Sequence, residues 1–484
     1  MKNIQTRIAS LAAVLLLGVI TGCADLEEEP TNFVSPSNFY ETPQQIEAVF
    51  AASMNNLWDT WSAHAYQAWI DFRHTDQLNG GDLVITEDHG LTLWKIHYRS
   101  ILNLNAAIDA LQAGRLGASV SEEDVQTLMA QAKFLRAYNY FTLVRLFGPL
   151  PLLTEDTDVL SAEITRSPVA EVYDLIISDF QVAIDGLPET WPAERQGRPA
   201  RGAAQAMLAK TYLTMATAPL NATENYALAA QMAQQVIDGG NYALVEDIRE
   251  VFSLATQYGP EAIWGFNSNN VDINTDPQIW TPANMGGWSD FTATPEWEQA
   301  WPDQARKDAY LLLEDDEGTP YTEWDGQNVP HVRKFLFDPE NYDRLVSTTN
   351  LPIIRYADVL LIFAEASNQA NNGPTPPAVD AVNQIINRAN DYQVNPNYPL
   401  MTGSESVQEF DDAVIRERNY ELCFEQDRWY DIIRKRILRE VNPQWEENFT
   451  EDDYLWPIPQ SDLRLNPNLE QNPGYSLPEE RADG

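Results

Sequence analysis

Ala132-Lys133-Phe134-Leu135-Arg136-Ala137-Tyr138-Asn139-Tyr140-Phe141-Thr142-Leu143-Val144-Arg145-Leu146-Phe147 runs without a glycine or proline and then meets Gly148-Pro149. Phe134, Ala137, Tyr138 and Phe141 recur at spacings of three and four, which puts them on one helical stripe; Leu135, Thr142 and Leu146 form a second. A helix carrying two apolar stripes is expected to be buried on more than one side. Gly148-Pro149 stops it, because proline has no amide donor and clashes with the preceding turn.

The same period spreads in both directions. Ile46, Val49, Phe50, Met54 and Leu57 carry it after Pro43, and amphipathic segments follow at about 92–113, 122–147, 168–187, 200–217, 225–238, 355–371, 377–391, 408–424 and 426–439. Within 200–217, alanines at 203, 204, 206, 209 and 216 allow neighbouring helices a close approach. Paired helices with small residues at their contacts predict an all-α, helical-repeat scaffold, although no clean 34-residue period is visible. The interval 241–350 breaks the pattern with many turn residues and carries Trp264, Trp280, Trp288, Trp297, Trp301 and Trp324. A loop-rich insertion that long is expected to be functional.

The amino-terminal end reads as an address. Lys2 and Arg7 precede an apolar run from Ile8 to Ile20, and Thr21-Gly22-Cys23 follows with Asp25 and Glu27-Glu28-Glu29. The run is shorter than the roughly 20 apolar residues that a stable membrane-crossing helix takes. Residues 1–22 are therefore expected to be a lipoprotein signal peptide, with Cys23 as the lipidated residue and 23–42 as an acidic tether. The domain proper is expected over 43–484, with a helical core at about 43–240 and 351–440.

Composition narrows the function. Hydrophobic residues make up 44% and aromatics 11% of the 484 residues, enough for a sizeable core. With 72 acids against 31 lysines and arginines the formal charge is −41, which excludes nucleic acid as a partner. The chain has two cysteines; with Cys23 acylated, Cys423 has no intrachain partner, and its apolar neighbours predict a small core residue.

Catalytic and metal motifs are weak. Asp272, Asn274 and Asp276 open like a calcium loop, but Pro277 replaces the turn glycine and Ala283 stands where a closing Glu is needed, so an EF-hand is not expected; a structural calcium in another geometry stays open, with no motif to support it, and no cofactor is expected. Histidines 64, 74, 89, 97 and 331 have no zinc spacing, and there is no Gly-x-Ser-x-Gly, Walker loop or dinucleotide fingerprint. Arg355 and Asp358, Arg418 and Glu421, and Glu425 and Arg428 are spaced one turn apart and are expected to form partly buried ion pairs. The basic run Arg434-Lys435-Arg436 is expected to neutralise nearby carboxylates.

Five segments in order carry a resemblance. They are Trp94-Lys95-Ile96-His97-Tyr98 with Ile101 to Asn105; Ala132 to Ala137 with Phe147-Gly148-Pro149-Leu150-Pro151-Leu152; Leu351 to Leu361 with Ala364-Glu365-Ala366; Ile415 to Arg434; and Leu455-Trp456-Pro457-Ile458-Pro459 with Asn466-Pro467 and Leu469 to Tyr475. Together they resemble the SusD/RagB family of outer-membrane nutrient-binding lipoproteins over nearly the whole mature chain. The last falls within a carboxy-terminal signature at 451–476. The resemblance implies a tetratricopeptide-like helical core with an irregular ligand-binding region packed on it. It also implies a non-catalytic protein, lipid-anchored at the outer membrane and facing the exterior, that captures oligosaccharide, or peptide in some members. The partner so implied is a TonB-dependent barrel of the SusC type.

Aromatic side chains suit sugar, whose flat C–H faces stack on rings while amides, carboxylates and guanidinium groups bond the hydroxyls. Two loop regions have this make-up: Tyr66, Trp69, Asp71 and Arg73 in the first, and Asn267, Asn269, Trp280, Trp288 and Phe291 in the second. Trp94, Trp264, Trp297 and Trp301 are expected in the core. A surface glycoside hydrolase is the enzymatic rival, but among 72 acids a carboxylate pair cannot be picked out by spacing.

Overall fold

The computed structural model describes residues 39–58, 70, 75–78, 87–117, 120–161, 164–267, 277–324, 328–336, 349–443 and 449–477. The signal, Cys23 and most of the tether lie outside them.

The quoted stretch forms α3 (Glu122–Phe147), after α1 (Pro43–Trp58) and α2 (Glu87–Gln112). Ser121 caps α3 by accepting the Asp124 amide at 3.1 Å, Glu122, Glu123 and Asp124 occupy its positive end, and Arg145 lies in its last turn. Gly148 ends it with a φ of 71°, returning its N–H to Val144. Both stripes are buried, with Phe134, Ala137, Phe141 and Leu146 at 0% exposure. A short antiparallel pair, β1 (Leu150–Pro151) and β2 (Arg166–Ser167), leads to α4 (Val169–Gly186), α5 (Arg201–Ala216) and α6 (Asn225–Gly239).

Each helix from α1 to α6 packs on the next. The insertion then intervenes, yet α6 packs directly on α9 (Tyr356–Ala370), which packs on α10 (Pro376–Ala389) and α11 (Val407–Glu421). The helical stack is thus continuous across the gap in sequence. The alanines of α5 are buried at its contacts. α11 begins with a full capping box between Ser406 and Glu409, and α10 with Thr375 as cap and proline in its first turn. α12 (Asp427–Lys435), α13 (Leu438–Val441) and α14 (Gln460–Leu465) complete the chain.

The insertion is mostly non-helical, as expected, but it is bound to the core by strands that the helical period did not foresee. β3 (Ala262–Phe266) pairs antiparallel with β6 (Leu351–Arg355), the residues leading straight into α9. Gly265 is required there, because a Cβ would lie 2.1 Å from the Leu351 carbonyl oxygen. Within the insertion, α7 (Pro295–Ala300), α8 (Ala305–Tyr310) and the pair β4 (Leu311–Leu312) and β5 (His331–Val332) surround an aromatic core. Trp94, Trp264, Trp297 and Trp301 are all buried, and Trp301 stacks on Tyr420 at 4.8 Å.

Buried ion pairs fasten insertion to scaffold, and their partners differ from those expected. Arg355 bonds Glu261, Glu421 and Glu425; Arg388 reaches Glu261 and Glu421; Arg306 reaches Glu417 and Glu421. Asp358 pairs with Lys210 and Arg418, and Arg428 with Asp76. The groups spaced one turn apart share a buried face, where residues from other elements meet them with better geometry than their own helix offers. The basic run behaves as expected: Arg434 and Lys435 both hold Glu365, and Arg436 lies 3.8 Å from Glu451.

Candidate ligand-binding face

Residues 277–291 fold back on themselves. Trp288 donates its amide to Gln278 at 2.8 Å, Ser289 to Thr281 at 3.1 Å and Phe291 to Ile279 at 3.1 Å. Gly287 has no side chain to spare at the bend, since a Cβ would sit 2.1 Å from the Thr281 carbonyl oxygen. The Ser289 hydroxyl accepts the Ala283 amide at 2.8 Å and lies 3.1 Å from His331 Nε2. His331 Nδ1 is 3.0 Å from the Val329 carbonyl, which can only accept, so Nδ1 carries the proton and Nε2 accepts from Ser289. Burial pushes the His331 pKa down to about 4, which keeps this neutral arrangement in place near pH 7.

The fold-back sorts the expected aromatics. Trp280 is fully buried, with Phe291 at 5.5 Å, Phe335 at 5.6 Å and Phe424 at 5.9 Å between ring centroids. Phe291 is 7% exposed. Both are packing residues here and present no open face for stacking, a correction to their expected place in the site. Trp288 is 50% exposed, displayed on a loop braced by that cluster.

The structure also joins the ends of the two expected loop regions. Leu78 bridges Ala293, Thr294 donates its amide to Gln77 at 2.9 Å, and its hydroxyl donates to the Asp76 carbonyl at 2.6 Å. Arg428 clamps the Asp76 carboxylate at 2.7 and 2.8 Å, and Gln77 donates to the Asn419 carbonyl at 2.8 Å. The chain leaving 66–73 is therefore fixed beside the chain leaving 277–291. Tyr66, Trp69, Asp71, Arg73 and Asn269 lie outside the described residues, as do Asp272, Asn274 and Asp276. Asn267 is exposed, but its amide donates to Gly197 at 2.8 Å on a groove whose lining includes none of 277–291. Asp76 and Arg428 are the anchors that sequence reading did not assign to the site; only their pairing across the chain reveals them.

No group of three or more histidine, cysteine or carboxylate side chains among the described residues could hold a metal ion. Cys423 is buried, and burial pushes its thiol up to about 12, so it behaves as an inert core residue.

A continuous stack of helices, with an irregular insertion stapled to it and an aromatic displayed at the insertion's surface, defines a protein of the helical-repeat class. Comparison with known proteins places it further. Residues 317–475 match the model described as SusD family, and residues 32–213 the one described as starch-binding associating with outer membrane. The chain is 30% identical to SusD-like protein P2 of Formosa agariphila, covering 96% of this chain and 98% of that protein. Its fold is similar to a SusD superfamily protein from Parabacteroides distasonis, with a TM-score of 0.76, 26% identity, and coverage of 89% and 99%. A laminarin-binding SusD-like protein shares the fold at a TM-score of 0.71 and 21% identity, over 90% of this chain and 100% of that one. The chain belongs to the SusD/RagB family. That makes it an outer-membrane-associated, SusD-like protein of nutrient uptake.

Proposed function

We propose that this chain is a non-catalytic lipoprotein, held by a lipid on Cys23 and facing the exterior, that captures neutral oligosaccharide or polysaccharide on the face displaying Trp288. From there the glycan passes to a partner TonB-dependent barrel of the SusC type. The observation that carries the site is the half-exposed Trp288 on a braced loop whose exit, at Ala293 and Thr294, is bonded to Leu78 and Gln77. Among the described residues, the carboxylates with the most depressed pKa values are locked against buried guanidinium and ammonium groups, which suits structure better than acid–base work. Two or three ring stacks with a few hydrogen bonds give about −4 to −8 kcal/mol, millimolar to micromolar binding, weak enough for release.

The test is calorimetric titration of the mature domain lacking Cys23 with laminarin, starch, xylan, mannan and a casein digest. Saturable binding of a polysaccharide without its depolymerisation supports the reading. Binding of the digest alone would give a peptide-uptake protein instead, and release of reducing ends would give a hydrolase.

A further inference from the structure

Away from the Trp288 face, a solvent-open groove with a cavity volume of about 230 Å³ lies between the α4–α5 loop, the segment after α6 and the β3–β6 ladder. Four aromatic residues line it, Trp191, Tyr242, Tyr258 and the buried Trp264. Trp191 is pinned at one edge by donating its indole N–H to the Pro199 carbonyl at 2.9 Å, and the Arg198 guanidinium sits 5.5 Å from its ring centroid. Tyr242 lies against Gly202, where a Cβ would come within 2.5 Å of the ring. Burial pushes its hydroxyl up to about 12, so it stays a neutral hydrogen-bonding group through the physiological range. Tyr258 is 41% exposed.

Amides stand between the rings. Gln257 spends its oxygen on the Asn350 amide at 2.8 Å, and Asn267 spends its nitrogen on Gly197. The other end of each amide is unspent, as are the side chains of Asn241 and Tyr258 and the Tyr242 hydroxyl, with respect to the described residues. The two charges at the rim are already satisfied: Arg198 by Glu47, and Glu189 by Arg201.

Ring faces, unspent amide donors and acceptors, and no unpaired charge match one ligand chemistry. A neutral pyranose offers an apolar C–H face to a ring and vicinal hydroxyls that both donate and accept. A phosphate, a uronate or an acidic peptide would find no free cation here. We propose that this groove is a second saccharide site, for a short neutral segment of glycan, separate from the Trp288 face. The proposal rests on the reading of the protein as a glycan binder.

Hydrogen exchange of the mature protein, read peptide by peptide, tests it with laminarihexaose, maltohexaose, cellohexaose and mannohexaose as probes. Wild type, Trp288→Ala, Tyr258→Ala and Asn241→Ala are compared; Tyr258 and Asn241 are exposed, so neither change should disturb folding. At least one hexasaccharide is expected to protect 188–200 and 241–260 in wild type and in Trp288→Ala. Tyr258→Ala should weaken that protection about fivefold, the loss of one ring stack, while leaving protection of 277–291 intact. Protection confined to 277–291 would overturn the groove and leave the glycan reading standing. Protection at neither place would overturn both, and protection of the groove by casein peptides but by no saccharide would overturn its assignment to sugar.

Discussion

Glu421 is fully buried, with Arg355 at 2.7 Å and Arg306 and Arg388 each at 2.8 Å from its oxygens. These guanidinium groups hold its carboxyl well below the usual range, overriding a burial penalty that alone would raise it. Removing the charge leaves three buried cations under-compensated. Glu421→Gln is expected to cost about 3–5 kcal/mol in urea unfolding, as when one partner of a buried pair is deleted. A loss below about 1 kcal/mol would mean that the network relaxes around the change. Asp358, Glu365 and Glu155 are shifted the same way, Glu155 to about 2. Because the folded values are depressed, their stabilisation is fully present above the unfolded value, near 4, and is lost as pH falls through the folded values. The unfolding midpoint is therefore expected to hold down to about pH 5 and drop steeply below about pH 4, as read by circular dichroism. The sequence showed that Arg355, Arg418, Glu421 and Glu425 belong together on buried faces. It could not show their partners, because spacing along a helix says which residues share a face and nothing about what lies opposite.

The helices were legible almost to their ends, since periodicity, caps and stops are local signals; 122–147 and α3 coincide. The β3–β6 ladder was not, because each strand is short and its partner is far away in sequence. That ladder gives a prediction at its own scale. Gly265→Ala would drive a Cβ into the Leu351 carbonyl, and an overpacked contact that cannot yield should cost about 1–3 kcal/mol or more. A lowered melting midpoint is expected; an unchanged one would show that the ladder is not what fastens the insertion. The site was half legible for a related reason. Trp280 and Trp288 occupy the same aromatic, amide-rich loop, and composition cannot say which faces inward. The backbone bonds from Trp288 to Gln278 and from Phe291 to Ile279 decide it, turning Trp280 under the loop and Trp288 out.

At the scale of the molecule, helical stack and stapled insertion form one scaffold, and the lipid proposed on Cys23 would hold its proposed binding face at a membrane surface. Lipidation of Cys23 predicts that Cys23→Ala moves the protein to the soluble fraction, checked by fractionation and detergent partitioning; a variant that stays membrane-bound would contradict the anchor. The excess of acid, −41 over the chain, opposes anionic ligands and leaves neutral or cationic ones, neutral glycans among them. The central claim is that such a glycan is captured where Trp288 is displayed. Affinity electrophoresis through gels containing each neutral polysaccharide, wild type beside Trp288→Ala, tests it most directly. Retardation of wild type by at least one polysaccharide, weakened about fivefold or more in Trp288→Ala, is the predicted result. Equal retardation of both proteins, or none of either, would contradict it.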